Sequence, residues 1–489
     1  MAKVTYIPND PLASGGPPTR QVTAARFPRG DIAIHDVQPP ANPGIFEQFT
    51  SDFDFWQVQI GLIAGLKTWK ELDGRYLNRW FGGQKVLPVL TNAGDDLNAF
   101  YDRRSLQFFG HTFDGVTVHS AESTDVVTHE QGHAFLDAVR PDFFDVPFIE
   151  VGALHEAFGD CIAILTALSD APTRSAVLAA SPDLSANQFL ESVAEQLGDA
   201  IRREFGPESV DAGALRHALN TFRWVDPTTL PAFAPAPELS GEVHSFSRVF
   251  SGAFYDVIRN IHANGPRTSA GLRKAARTAG HLLVAAVRTV PAAPRTFEGV
   301  GQRMVQADVA VNKGVNAAAI QDAFGAHDVV LPAPVTSVAV PLPRQRRGGA
   351  NEQLRERMAV PPGSRLEITP VESELHGDIA HVAAFRPLQL AGAGLEGVRI
   401  MIPGVARVAR RGRAMGGVLG DVTPASGAVA EEARAFARTL VASGTLRTAP
   451  RAARRMAAPP QPAPRQQHLP THEVQVVDGE PTIRRIGFE

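Results

Sequence analysis

From about Phe46 the hydrophobic positions fall at three- and four-residue steps, as in "FWQVQIGLIAGLKTWKEL", which predicts an amphipathic helix. The next stretch, "QKVLPVLTNAGDDLNAFYDRRSLQFFGHTFDGVTVHS", has short apolar runs broken by Gly, Asn and Asp, which predicts strands and turns. Helical spacing returns from Asp125 to Val139 and stops at Arg140-Pro141, because a proline disfavours the helical conformation of the residue before it. A second helix is predicted from Val151 to about Leu168. Helical patterns continue through "ANQFLESVAEQLGDAIRREF", "SRVFSGAFYDVIRNI", "TSAGLRKAARTAGHLLVAAVRTV" and "NAAAIQDAFGA". The core is therefore β-rich first and α-rich afterwards.

Residues 1–45 are rich in Pro, Gly and Asp and read as an extended arm. The texture changes again at 331–350, a Pro- and Arg-rich linker. Residues 351–489 form an arginine-rich accessory region. In it "GSRLEITPV", "HVAAFRPLQLAG" and "GVRIMIPGV" predict strands, and "AVAEEARAFARTLVASG" predicts a helix. The segment near 448–468 reads as disordered, and "HEVQVVDGEPTIRRIGFE" as a hairpin with Asp478-Gly479 at its turn.

A chain of 489 residues with 44% apolar content can bury at least one large core. Its net charge of −3 gives no general attraction to nucleic acid or membrane. Charge is unevenly spread: from Arg344 onward there are 21 Arg, no Lys and 14 acidic residues, a net of +7. That skew suits a solvated tail or a protein partner for this region. The single cysteine, Cys161, excludes an intrachain disulfide and reads as a packed thiol. No apolar run is long enough to predict a membrane span. The opening residues carry no Sec-type signal, so the expectation is a cytoplasmic protein, with export by a dedicated route left open.

The chemistry concentrates in "DVVTHEQGHAFLDAV". His129 and His133 are four apart, so on a helix both imidazoles face one ion. Glu130 lies about 100° further round the axis, placed to take a proton from a metal-activated water. A catalytic zinc needs a third protein ligand and an open position. Twenty-three residues beyond His133, "EVGALHEAFGDCIAIL" offers Glu156 as that ligand. Asp160, four residues on, can accept the spare N–H of a ligating histidine.

"STDVVTHEQGHAFLDAV" followed by "GALHEAFGD" resembles the thermolysin-type neutral zinc metallopeptidases, and the likeness runs over roughly residues 50–330. Three further stretches agree. "LNAFYDRRS" resembles the edge strand that binds peptide, implying Asn98 and Ala99 as substrate contacts. "ALRHAL" implies Arg216 as a ligand of a substrate carbonyl. "SGEVHSFSRVFSGAFYDV" implies His244 as the stabiliser of the oxyanion. Val126 and Leu215 match positions near the pocket for an apolar residue after the cut. The fold implied is α+β: a β-rich N-terminal lobe and an α-helical C-terminal lobe with the active-site helix between them, over residues 46–330. The implied function is a zinc endopeptidase with one catalytic zinc and a peptide or protein substrate. Alternatives are a metalloprotease-like binding module without turnover, and an effector or processing peptidase docked through 351–489. The tyrosine that assists the oxyanion histidine in that family is replaced by Pro147. The acidic position five before His244 is Leu239, leaving Glu238 and Glu242 as candidates to orient it. The acidic cluster of the family's double calcium site is missing after the Glu156 helix, so calcium is not expected.

Overall fold

The computed structural model describes residues 2–331, 339–341, 349–371, 379–411, 414–420, 422–448 and 469–488. The N-terminal part is built on small sheets around one long helix. Strands β1 (Lys3–Tyr6) and β2 (Arg20–Thr23) pair antiparallel. Strand β3 (Ile34–Gln38) joins a four-stranded sheet in the order β3-β4-β6-β5, with β4 (Val86–Leu90), β5 (Ala99–Tyr101) and β6 (Leu106–Phe108). Strands β7 (Gly110–Phe113) and β8 (Val116–His119) form a separate hairpin. The first 45 residues thus lie against the body: Val4, Tyr6, Ile7 and Val37 are buried, and β3 is a sheet member.

Helix α1 (Ser51–Asp73) starts where the Thr50 side chain accepts a hydrogen bond from Phe53 N–H, and ends at Gly74 in the left-handed conformation. Its Trp69 stacks on Phe135 at 4.7 Å, which packs α1 against the central helix that carries His129 and His133.

The central part is helical: α2 (Thr124–Val139), α3 (Asp142–Asp145), α4 (Ile149–Ser169) and α5 (Ala171–Ala180) come first. After the short strand β9 (Ser192–Val193) come α6 (Glu195–Phe205) and β10 (Arg216–His217), which pairs with β9. Next come α7 (Val243–Ala263), α8 (Ser269–Thr289), α9 (Thr296–Asn312) and α10 (Ala317–Ala326). The helix expected across "ANQFLESVAEQLGDAIRREF" forms only from Glu195, because Ala194 sits at φ 57° and breaks the run. By length and composition α4 could cross a membrane, but its apolar window is fully buried, as in a core helix.

Beyond the central helices the chain forms a curled mixed sheet. Its members are β11 (Ala339–Pro341), β12 (Glu367–Pro370), β13 (Ile379–Gln389), β14 (Arg399–Arg411), β15 (Ala414–Leu419), β16 (Leu446–Arg447), β17 (His472–Val477) and β18 (Glu480–Arg485), with α11 (Gly349–Arg357) and α12 (Ala428–Ser443) beside it. The predicted strands and helix are present here, as is the hairpin, with Asp478 and Gly479 at φ 51° and 79°. Most of the 331–350 linker and the segment near 448–468 fall outside the described residues. The sheet region is not a separate appendage. Glu432 accepts from Ile149 N–H at 3.0 Å, His381 meets the Arg288 carbonyl at 2.9 Å, and one continuous buried core runs through both parts.

Candidate metal centre

Two helices make the site, and two glycines let them meet. A Cβ on Gly132 of α2 would lie 2.8 Å from the Cα of Gly159 on α4. A Cβ on Gly159 would lie 2.6 Å from Cε1 and Nδ1 of His129. Only at this spacing do the facing sides of α2 and α4 share one cluster of side chains.

In that cluster His129, Glu130 and His133 bring donor atoms within 4.8 Å of one another, and all three are buried. Glu156 faces them from α4, with Oε2 3.4 Å from His129 Nε2 and Oε1 3.8 Å from His133 Nε2. Buried polar atoms normally have hydrogen-bond partners. Here His133 Nε2, both Glu156 oxygens and Glu130 Oε2 are buried with no hydrogen-bond partner. Two imidazoles and a carboxylate with unpartnered atoms aimed at one point fit a divalent cation of the borderline class, without fixing which ion.

The surrounding groups set the roles of the histidines. His129 Nδ1 lies 3.0 Å from Asp160 Oδ1, which leaves Nε2 for the site. Asp160 also accepts from Arg216 Nη2 at 2.8 Å and Ser251 Oγ at 2.8 Å. Burial pushes the Asp160 carboxyl up, but Arg216 and His129 outweigh it and hold the group well below the usual range. His129 is pulled down by burial, yet Asp160 and Glu156 hold it up at about 9. His133, fully buried and near other positive groups, is held far below its ordinary value. Its Nδ1 lies 2.8 Å from Nδ1 of His155. The tautomer that donates from His133 Nδ1 leaves its Nε2 lone pair for the ion.

The expected residues line one cavity of about 420 Å³: Asn98, Ala99, Val126, His129, Glu130, Leu215, Arg216 and His244. Leu197, Ile201 and Phe205 extend its apolar wall. His133, Glu156 and Asp160 sit behind the wall. Glu130 therefore stands on the open side and Glu156 on the closed side. Burial, helped by the charge of Glu156, pushes the Glu130 carboxyl up to about 8.

His244, on the first turn of α7, directs Nε2 to 3.3 Å from Glu156 Oε2 and Nδ1 to 2.8 Å from Glu242 Oε1. Glu242 is the N-cap of α7 and accepts from Ser245 N–H at 3.0 Å. Of the two acidic candidates, then, Glu242 meets His244. Burial pulls His244 down, but Glu156 and Glu242 outweigh it and raise it to about 10. Cys161 is fully buried, and burial pushes its thiol up.

Sequence reasoning missed three neighbours. His155 partners His133, and its place beside Glu156 was the signal available. Phe488 stacks on His155 at 3.8 Å and on His133 at 5.1 Å. Arg103 ties β5 to the end of α2 through Asp137, Nη2 to Oδ1 at 2.8 Å, while Tyr101 Oη donates to Asp137 Oδ2 at 2.8 Å. A second group, Asp54, His119 and Glu122, also brings donor atoms within 4.8 Å.

No protein-family model matches the chain, and no curated protein matches it.

Proposed function

We propose that the chain is a zinc metalloendopeptidase of the thermolysin-like type, with His129, His133 and Glu156 as ligands and Glu130 as general base. One observation carries the reading: His133 Nε2, Glu156 Oε1 and Oε2, and Glu130 Oε2, all buried without a hydrogen-bond partner, come together beside an apolar cleft. Glu156 is assigned as the ligand and Glu130 as the base because the fully buried Glu156 faces both imidazoles without lining the cleft, while Glu130 lines it. A zinc ion held there supplies Lewis acidity and brings the pKa of a water toward neutrality.

Glu130 takes the proton of the attacking water and returns it to the leaving amine. Its carboxyl lines the cleft beside His129, and a cation held by the neighbouring ligands would favour the ionised form that acts as a base. His244, kept protonated by Glu242 and Glu156, donates from Nε2 to the oxyanion that forms on the carbonyl. Asp160 fixes the His129 ring and Arg216 together. The peptide lies extended against Asn98 and Ala99, and Val126, Leu197 and Leu215 receive an apolar side chain after the cut.

Cleavage of a denatured general protein substrate by wild type and Glu130→Gln, with zinc measured on both, tests the proposal. The reading predicts equal zinc, about one ion per chain, and a rate at least about a hundredfold lower in the variant. Equal rates in the two proteins refute the assignment of Glu130.

A further inference from the structure

The free edge of β5 is not wholly free. β5 is the last strand of its sheet, paired on one side with β6. On the other side Tyr101 exchanges both backbone hydrogen bonds with Phe488. Tyr101 N–H donates to the Phe488 carbonyl at 2.9 Å, and Phe488 N–H donates to the Tyr101 carbonyl at 2.8 Å. The pairing is antiparallel.

The contact is tightly built. Phe488 is 1% exposed and lies between His155, His133 and Phe144. The Arg485 guanidinium lies 4.0 Å from its ring. A Cβ on Gly487 would collide with the Phe100 ring and lie 2.8 Å from the Tyr101 carbonyl, so only glycine allows this approach.

Backbone groups of a strand alternate between its two edges. Ala99, two residues before Tyr101, therefore presents its groups to the same edge as Tyr101. Ala99 lines the cleft, its N–H held by Asn98 Oδ1 at 2.7 Å and its carbonyl facing the same edge, while both backbone groups of Tyr101 are taken by Phe488. A peptide added antiparallel to β5 enters from the Tyr101 end and leaves toward Leu97 and the apolar pocket. Its residues before the cut would overlap Phe488.

We propose that Ile486–Phe488 is a built-in strand that closes the cleft on the side preceding the cut, so that substrates are selected by their residues after the cut and gain nothing from added residues before it. The inference rests on the peptidase reading. Phe488 and Gly487 act as specificity-determining residues: they shape where a peptide fits and touch no reacting atom.

Two peptides with the same apolar residue after the cut test this, one with a single residue before it and one with four. In wild type, kcat/KM is equal or lower for the longer peptide. Gly487→Val displaces the segment, and the longer peptide then gains about tenfold from two recovered backbone hydrogen bonds. Phe488→Gly releases the segment without added bulk and should act in the same direction should the valine variant fold poorly. Hydrogen exchange at the Tyr101 amide supplies an activity-independent readout, slow in wild type and fast in both variants. A tenfold gain for the longer peptide in wild type overturns the inference, as does fast exchange there. It is equally overturned when the variants free the Tyr101 amide and the longer peptide still gains nothing. If a metal-loaded wild type cuts neither peptide, the peptidase reading fails and this inference falls with it.

Discussion

Gly159→Ala perturbs the site at one atom. The added Cβ would stand 2.6 Å from His129 Cε1 and Nδ1, whereas carbon contacts settle at about 3.5–4.0 Å. The ring must retreat by roughly 1 Å. That movement breaks the 3.0 Å contact of Nδ1 with Asp160 and carries Nε2 away from its place opposite Glu156. Overpacking of this kind costs about 1–3 kcal/mol of stability. Losing the orienting partner of a ligating histidine costs about 10- to 100-fold in metal affinity. Gly280→Ala is the control. Its Cβ would meet Leu72 Cδ2 at 2.6 Å and Leu165 Cδ1 at 2.9 Å, a similar crowding where α8 packs on α1 and on the last turns of α4, away from the ligating side chains. Chelator competition gives the metal affinity, and thermal denaturation of the metal-free proteins gives the stability. Both variants should lose stability, and only Gly159→Ala should lose metal affinity. Wild-type affinity in Gly159→Ala, or an equal loss in Gly280→Ala, refutes the reasoning.

Asp160→Asn keeps the shape but leaves Arg216 buried without its counter-charge and weakens the hold on His129. It should cost about 3 kcal/mol or more in denaturant melts and about tenfold or more in metal affinity by chelator competition. Arg103→Ala strands the fully buried Asp137 and should lower stability by about 3 kcal/mol in the same melts. Stability of the metal-free protein should fall as pH rises from about 7 to 10. The Glu150 carboxyl is pushed up to about 8, because burial outweighs its bonds from Phe297 N–H and Trp224 Nε1. Burial likewise raises Asp125 and Glu195, and the neighbouring Asp10 raises both further. A carboxyl raised in the folded state stabilises below its unfolded pKa, and that contribution is lost as pH climbs through the folded value. Histidines raised by partners, such as His217 at about 9, act in the same direction. Melting temperatures that rise from pH 7 to 10 contradict this.

Periodicity showed what is local. Spacings of four placed His129 with His133 and Glu156 with Asp160, and a helix turns those spacings into shared faces. The same logic carried the strands at 367–370, 379–389 and 399–411 and the Asp478-Gly479 turn, where residue type dictates the backbone. The unread parts depend on contacts between distant segments. His155 becomes the partner of His133 only because Gly132 and Gly159 bring α2 against α4. Phe488 reaches the same ring from the far end of the described chain, and no local pattern announces a strand of so few residues. The choice of Glu242 over Glu238 turned on a helix N-cap. The first 45 residues lacked periodicity because they alternate between surface loops and short pairings. Ala194 stopped a helix that spacing alone would have carried through.

An X-ray absorption spectrum of the zinc-loaded protein tests the central claim most directly. The account predicts about one ion per chain with two imidazole nitrogens and carboxylate oxygen at about 2.0–2.2 Å, lost in His133→Ala and kept in His119→Ala. An ion that survives His133→Ala and disappears with His119→Ala would place the metal at Asp54, His119 and Glu122 and contradict it.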